Sequence, residues 1–322
     1  MPPLTINAAR TVAALLSPAG DRARLSILIF HRVHEAPDSL FPEEVTAERF
    51  DRLLAALGAA FNLLPLPEAI ERLRAGTLPS RPACITFDDG YRDNAEVALP
   101  ILQRYGVHAT FFIATGFLDG GRMWNDTLIE TVRRSNAPAL DLSRVGLGRV
   151  ELGDTASRRR VAQELIRSVK HLAPAQREQA VAAVAEAGAA ALPTNLMMSS
   201  AQVKAMSAAG MEIGAHTVSH PILASTSDDE AEREIEQGRQ RLQQITGESV
   251  RLFAYPNGRP GRDYRPEHVA MVRRLGFEAA LSTASGVSTT HSDIFQLPRF
   301  TPWDLSNLRF TWRAVANLRH VT

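Results

Sequence analysis

The chain has 322 residues, of which 45% are hydrophobic and 22% charged, with a formal net charge of +1. Those proportions belong to a globular protein with a sizeable core, and the length suits a single α/β barrel. The near-neutral balance gives no basic footprint for nucleic acid, no stretch reaches the roughly 20 apolar residues of a membrane span, and a single cysteine, Cys84, excludes an intramolecular disulfide.

Residues 1–17 carry Arg10 in mid-segment and only the short apolar run 12–16, which does not make a secretory signal. They are expected to form a surface helix within an N-terminal extension over 1–24, and the protein is expected in the cytoplasm, at the membrane face at most. Residues 26–30 are a continuous apolar run ending at His31, which reads as a buried strand with a polar tip. Phe50, Leu53, Leu54 and Leu57 recur at helical spacing over 46–59, with Thr46 as N-cap. A short strand is predicted over 61–66 and a helix over 67–74, with Pro67 at its first position. Residues 83–87 read as a strand, 94–105 as a helix closed by Gly106, and 108–113 as a strand.

From 121 to 195 the rhythm changes. Helical stretches over 126–134, 155–172 and 174–191 read as an inserted segment, because strand–helix alternation resumes after it. A helix capped by Ser199 or Ser200 runs to 209, and a strand over 211–215 leads straight into His216 and His220. Then come a polar helix over 228–245, a strand over 250–255, a turn at 256–258, a helix over 266–275, strand candidates at 279–281 and 295–300, and a C-terminal helix within 302–322. Strand and helix alternate about seven times without an internal repeat. The expected fold is α/β, a distorted (β/α) barrel of about seven parallel strands forming one domain over 1–322.

The polar clusters occupy equivalent places. His31, Asp88-Asp89, His216 with His220, and Asn257-Gly258 each follow a predicted strand directly, and in a β/α barrel those strand ends share the face on which active sites are built. Taken alone, Asp-Asp-Gly is a common turn and two histidines four apart are common surface residues. On a helical turn, however, His216 and His220 would share one face, and a carboxylate from a neighbouring strand end would complete a His-His-Asp set with positions left open for water and substrate. Thr217 stands where the zinc-protease pattern H-E-x-x-H needs its glutamate.

Thr86-Phe87-Asp88-Asp89-Gly90 and His216-Thr217-Val218-Ser219-His220 resemble the first two motifs of the polysaccharide deacetylase family (the NodB-homology domain, carbohydrate esterase family four), and Phe253-Ala254-Tyr255-Pro256-Asn257-Gly258 resembles the third. The resemblance runs over about residues 25–300. It implies a distorted β/α barrel that hydrolyses acetyl groups on sugars with one divalent metal, most often Zn2+, with Co2+, Mn2+ or Ni2+ as alternatives. It implies Asp89, His216 and His220 as metal ligands, Asp88 as general base for the activated water, and the backbone N–H of Asn257 as an oxyanion donor.

Two departures stand out. Ala254 takes the place of the arginine that usually orients the base, so Arg299 at a late strand end, or Arg92, is expected to supply the guanidinium. The usual C-terminal Leu-x-x-His motif is missing, and His291 lies in a polar loop that suits it poorly. His31 fits instead, because a subset resembling poly-N-acetylglucosamine deacetylases has its last strand moved to the front, with such a histidine. An amide needs a proton donor for its leaving amine, and histidine titrates in the right range. A capped core histidine is the plain alternative.

The expected partner is an N-acetylated carbohydrate, as a glycan or glycan intermediate, with no nucleic acid; the sequence sets no oligomeric state. Trp124 and Trp303 are candidates for stacking on a sugar ring or for anchoring loops. Two rival readings are a metal amidohydrolase acting on a small non-sugar amide, whose H-x-H pattern the spacing of His31 and His34 does not match, and an inactive glycan-binding barrel, which would have no use for the base.

Overall fold

The computed structural model describes residues 3–302 and 304–321. Helix α1 (Pro3–Leu16) turns Ala9 and Ala13 onto the main core. Strand β1 (Ser26–Phe30) is buried at every position, as continuous apolar runs are in parallel sheets covered on both faces. Helix α2 (Ala47–Ala60) is capped by Thr46, whose side chain accepts from the Arg49 N–H, and it buries Phe50, Leu53, Leu54 and Leu57. Strand β2 is only Asn62–Leu63. The next helix, α3 (Leu66–Ala75), starts before the expected boundary because Pro65 and Pro67 favour a helix entry over a ladder.

Strand β3 (Pro82–Phe87) is again wholly buried. The expected helix after it begins as a π turn over Asn94–Ala98 and becomes regular only in α4 (Leu99–Arg104). Pro100 has no N–H to return to Glu96, and the Leu99 N–H bonds to the Asn94 carbonyl, one residue further back than in an α-helix. Strand β4 is Thr110–Ile113.

Helix α5 (Trp124–Arg134), strands β5 (Ala139–Leu142) and β6 (Gly148–Glu151), and helices α6 (Thr155–Val169) and α7 (Pro174–Gly188) follow. They bury a cluster of their own that includes Leu128, Val132, Leu140, Leu165 and Val184. The antiparallel β5–β6 ribbon falls outside the sequence reading, since four-residue strands on the surface carry little periodic signal. Helix α8 (Ser200–Ala208) opens with a capping box between Ser199 and Gln202. Strand β7 (Glu212–Ala215), helix α9 (Asp228–Thr246), strand β8 (Leu252–Ala254), helix α10 (Pro266–Arg274), strand β9 (Ala279–Leu281) and helix α11 (Asn307–Asn317) complete the chain.

The seven-stranded sheet runs β1-β3-β4-β7-β8-β9, with β2 on β3, and every pairing in it is parallel. It curls into a distorted barrel. Residues 295–300 are not the strand expected from their composition, because Pro298 interrupts any ladder. They make isolated parallel bridges instead, Leu297 to Leu281 of β9 and Phe300 to Leu28 of β1. The Phe300 N–H bonds to the Ile27 carbonyl at 2.7 Å and the Ile29 N–H to the Phe300 carbonyl at 3.1 Å. One irregular segment thus ties both sheet edges together and sets the front of the chain beside its last third. No described helix is long and apolar enough to cross a membrane.

Candidate metal centre and active site

Asp88 and Asp89 leave β3 side by side, and both carboxylates approach His216 Nε2, at 3.8 and 3.5 Å. The Asp88 N–H still bonds to the Phe30 carbonyl of β1, at 2.9 Å. Asp89 then takes a left-handed φ of 76° and Gly90 one of 90°. A side chain at Gly90 would bring its Cβ to 2.9 Å from Ile113 Cγ2, so the tight turn requires glycine. Both carboxylates are buried.

The Asp88 carboxylate meets Arg299 in a two-point contact, Nη1 to Oδ1 and Nη2 to Oδ2, each 2.7 Å. Arg299 is itself fully buried and also donates through Nε to the Ser282 carbonyl at 2.9 Å. Burial pushes the Asp88 carboxyl upward, but the Arg299 guanidinium and His216 outweigh it and hold Asp88 below the usual carboxylate range. Of the two arginines expected to face the base, Arg299 does so; Arg92 is half exposed and pairs with Glu96 on its own helix.

Asp89 Oδ1 lies 3.5 Å from His216 Nε2 and 3.5 Å from His220 Nε2. The three ligand atoms all fall within 4.8 Å of one another, so these residues form a possible metal site. Asp89 Oδ1 is buried and has no hydrogen-bond partner among the described residues, as an oxygen reserved for a cation would be. His216 Nδ1 sits 2.7 Å from the Ala254 carbonyl. A carbonyl only accepts, so Nδ1 carries the proton and the Nε2 lone pair points at Asp89, the orientation a metal ligand needs. Burial drives the His220 imidazole down to about 3, which keeps it neutral, while for His216 the neighbouring Asp88 and Asp89 outweigh burial and raise its pKa. Asp89 is lowered by the two imidazoles against the opposing effect of burial.

The segment carrying the histidines is not the helical turn expected from their spacing. Thr217 and His220 have φ of 66° and 52°, and the chain bends between them. The Thr217 hydroxyl accepts from the His220 N–H at 3.1 Å, and Glu234 of α9 accepts from the Val218 and Ser219 N–H groups at 2.9 and 2.8 Å. Gly238 lets α9 come this close, since a Cβ there would sit 2.8 Å from the Thr217 carbonyl. The bend leaves the two rings 4.8 Å apart.

A cavity of about 230 Å³ opens over these groups, lined also by His31, Asn257 and Trp124. His31 is exposed at the end of β1, its carbonyl held by Asn94 Nδ2 at 2.8 Å. Asn257 has φ 56°, and its carbonyl accepts from the Thr283 hydroxyl at 2.6 Å. His291 is exposed and lines neither this cavity nor the one beside it. Trp124 has the Arg177 guanidinium 5.1 Å from its ring centre, while Trp303 lies outside the described residues. The neighbouring cavity, about 210 Å³, shares His31, Asp89 and Asn125 with the first and reaches Asp126, whose carboxyl burial pushes up to about 7. No motif marks Asn125 or Asp126, because an Asp in the first turn of a helix reads as ordinary end charge.

The polysaccharide deacetylase family model matches residues 75–146 and 149–280, well over half of the chain. The chain belongs to the polysaccharide deacetylase family. Its match to YxkH of Bacillus subtilis (strain 168) is 33% identical over 93 residues, 28% of this chain, and spans about a third (32%) of that relative. Among solved structures, the Streptococcus pyogenes deacetylase PplD in complex with acetate is similar with TM-score 0.61 and 19% identity, over 91% of this chain and 98% of that one. IcaB from Ammonifex degensii is similar with TM-score 0.59 and 19% identity, over 93% and 98%. At that identity the two structures speak for the fold of this deacetylase-family chain.

Proposed function

We propose that the chain is a metal-dependent carbohydrate N-deacetylase, a hydrolase of linear amides that removes acetyl groups from N-acetylglucosamine-type glycans or glycan intermediates. One observation carries the reading: an unpartnered buried carboxylate oxygen between two imidazole nitrogens, directly beside a second carboxylate clamped by arginine. A pure glycan binder has no use for that second carboxylate. Asp89, His216 and His220 would hold one divalent ion, and two imidazoles with one carboxylate suit Zn2+ best, with Co2+, Mn2+ or Ni2+ able to replace it. When bound, the ion supplies Lewis acidity that acidifies water and polarises the acetyl carbonyl.

The remaining steps belong to the chain's own side chains. Asp88, kept ionised by Arg299, accepts the proton of the attacking water at the oxygen facing the cavity, and the two-point contact holds that carboxylate in one orientation. The Asn257 N–H donates to the oxygen that gains charge, a role supported by its having no acceptor among the described residues. His31, on the same cavity, donates the proton that lets the sugar nitrogen leave as a neutral amine. The test is metal analysis of the purified protein together with acetate release from N-acetylglucosamine oligomers. Metal at one equivalent with acetate release supports the reading. Metal with release only from a small non-sugar amide makes it an amidohydrolase of another kind, and metal-free binding without release makes it a binding protein.

A further inference from the structure

The chain leaves the sheet at His31, whose exposed imidazole lines the cavity over Asp88 and Asp89 and has no hydrogen bond among the described residues. Its place is therefore set by its backbone, and two adjacent side chains hold that backbone. Asn94 Nδ2 donates to the His31 carbonyl at 2.8 Å and to Asp93 Oδ1 at 3.1 Å. Asp93 Oδ1 also accepts from the Val33 N–H at 3.0 Å, and Asp93 Oδ2 from Arg32 Nε at 2.9 Å. Asn94 opens the π turn before α4, its carbonyl accepting from the Leu99 N–H, and such turns are frequent at functional sites. Asn94 is wholly buried, yet its Oδ1 has no partner among the described residues. The reverse orientation of the amide would set that oxygen against the His31 carbonyl and the Asp93 carboxylate, two acceptors, so the amide stands one way only. An unpartnered buried acceptor is destabilising, and an apolar side chain of the same size would avoid it. The amide is kept for what its nitrogen holds.

We propose that Asn94 and Asp93 are positioning residues for the proton donor: by clamping the backbone of 31–33 they fix where the His31 imidazole stands over the reacting amide. The inference rests on the reading of His31 as general acid. Strands β1 and β3 pair in parallel up to Phe30 and Phe87, and the Asp88 N–H adds one more bond, to the Phe30 carbonyl at 2.9 Å. The clamp takes over directly after it. Beyond Val33 the front segment is held again by the His34 N–H on the Val45 carbonyl, at 2.8 Å. Residues 88–94 thus form one short segment that carries the base, one metal ligand and the clamp on the acid. All three keep their spacing although the acid arrives on another strand. Proton transfer tolerates little misplacement, since a shift of about 1 Å can cost on the order of 10²-fold in rate.

The experiment compares the native chain, Asn94→Leu, His31→Ala and the double variant, with metal content and Tm measured for each. Asn94→Leu should keep its metal and lower kcat on an N-acetylglucosamine oligomer by about 10- to 100-fold, with KM within about twofold. An activated acetyl ester, whose leaving group needs little protonation, should lose less than about threefold. In the His31→Ala background the same substitution should change kcat by less than about twofold, because no donor is left to position. Asp93→Asn, which keeps an acceptor, should lose less than Asp93→Ala. The NMR ring-proton signal of His31, assigned by its loss in His31→Ala, should move in Asn94→Leu while those of His216 and His220 hold. A native kcat, equal losses on amide and ester, losses that multiply with those of His31→Ala, or an unmoved His31 signal overturns the clamp. Where Asn94→Leu does not fold, Asp93→Ala is judged by the same outcomes. A native rate in His31→Ala overturns instead the reading of His31 as acid, and no acetate release from any oligomer overturns the deacetylase reading. In both of those cases the His31 signal still decides whether Asn94 positions the ring.

Discussion

The Asp88 carboxylate lies against the Arg299 guanidinium with both oxygens 2.7 Å from its terminal nitrogens, although 211 residues separate the two in the chain. Both side chains are almost wholly buried, so neither charge has water as a substitute partner. Arg299→Ala leaves an unpaired buried carboxylate and should cost about 3–5 kcal/mol of stability, read as a lowered Tm, together with most of the turnover. Arg299→Lys keeps the charge but loses the two-point contact, and it should recover stability better than it recovers kcat. A lysine variant with native kcat would show that orientation of Asp88 does not matter.

The division of labour between the adjacent aspartates separates in a metal-binding measurement. Asp89→Ala and His220→Ala should lose metal and activity together. Asp88→Asn should bind metal and lose turnover by about 10²–10⁴-fold, the usual range for a proton-transfer group. Metal loss in Asp88→Asn as complete as in Asp89→Ala would assign Asp88 to the metal as well.

His31→Ala should keep its metal and lower kcat on an acetamido sugar by about 10²–10⁴-fold. An activated acetyl ester, whose leaving group needs little protonation, should lose far less. Equal losses on amide and ester, or a normal rate here with a crippled His291→Ala, would move the acid role elsewhere.

Asp126 gives a pH signature of its own. Burial raises its folded carboxyl from 3.8 to about 7, so between those values the folded chain holds a proton that the unfolded chain has lost. The stability this contributes is full below the unfolded value and disappears as pH rises through the folded one. Asp126→Asn cannot ionise, so its Tm advantage over the native chain should grow between about pH 4 and pH 8, toward a stability difference on the order of a few kcal/mol. A difference flat across that window would mean that Asp126 ionises freely in the folded protein.

Much of the site was legible before any fold was known. Continuous apolar runs that stop at His31, Asp88-Asp89, His216 and Asn257 are local facts, and strand ends of a parallel barrel share a face whatever the loops do. The metal cluster follows from short segments: Asp89 turned by a left-handed pair with Gly90, and two histidines four residues apart. The bend that carries those histidines was not legible, because its left-handed residues are Thr217 and His220, which the sequence does not mark, and its braces come from α9.

The sequence by itself determined the strand ends and the chemical identity of the groups placed on them, since burial of apolar runs and the chemistry of each side chain are local properties. Only the tertiary structure brought the Arg299 guanidinium against Asp88 and took the water away from Asp126. The sequence offers Arg299 first, for its place at a late strand end, and Arg92 second; closure of the sheet by residues 295–300 carries Arg299 into the interior and leaves Arg92 with Glu96 at the surface. Asp126 is an ordinary helix-start acid until the start of α5 packs against the segments that follow β1 and β3 and loses its water. Desolvation depends on what comes together from distant parts of the chain, and no local pattern records it.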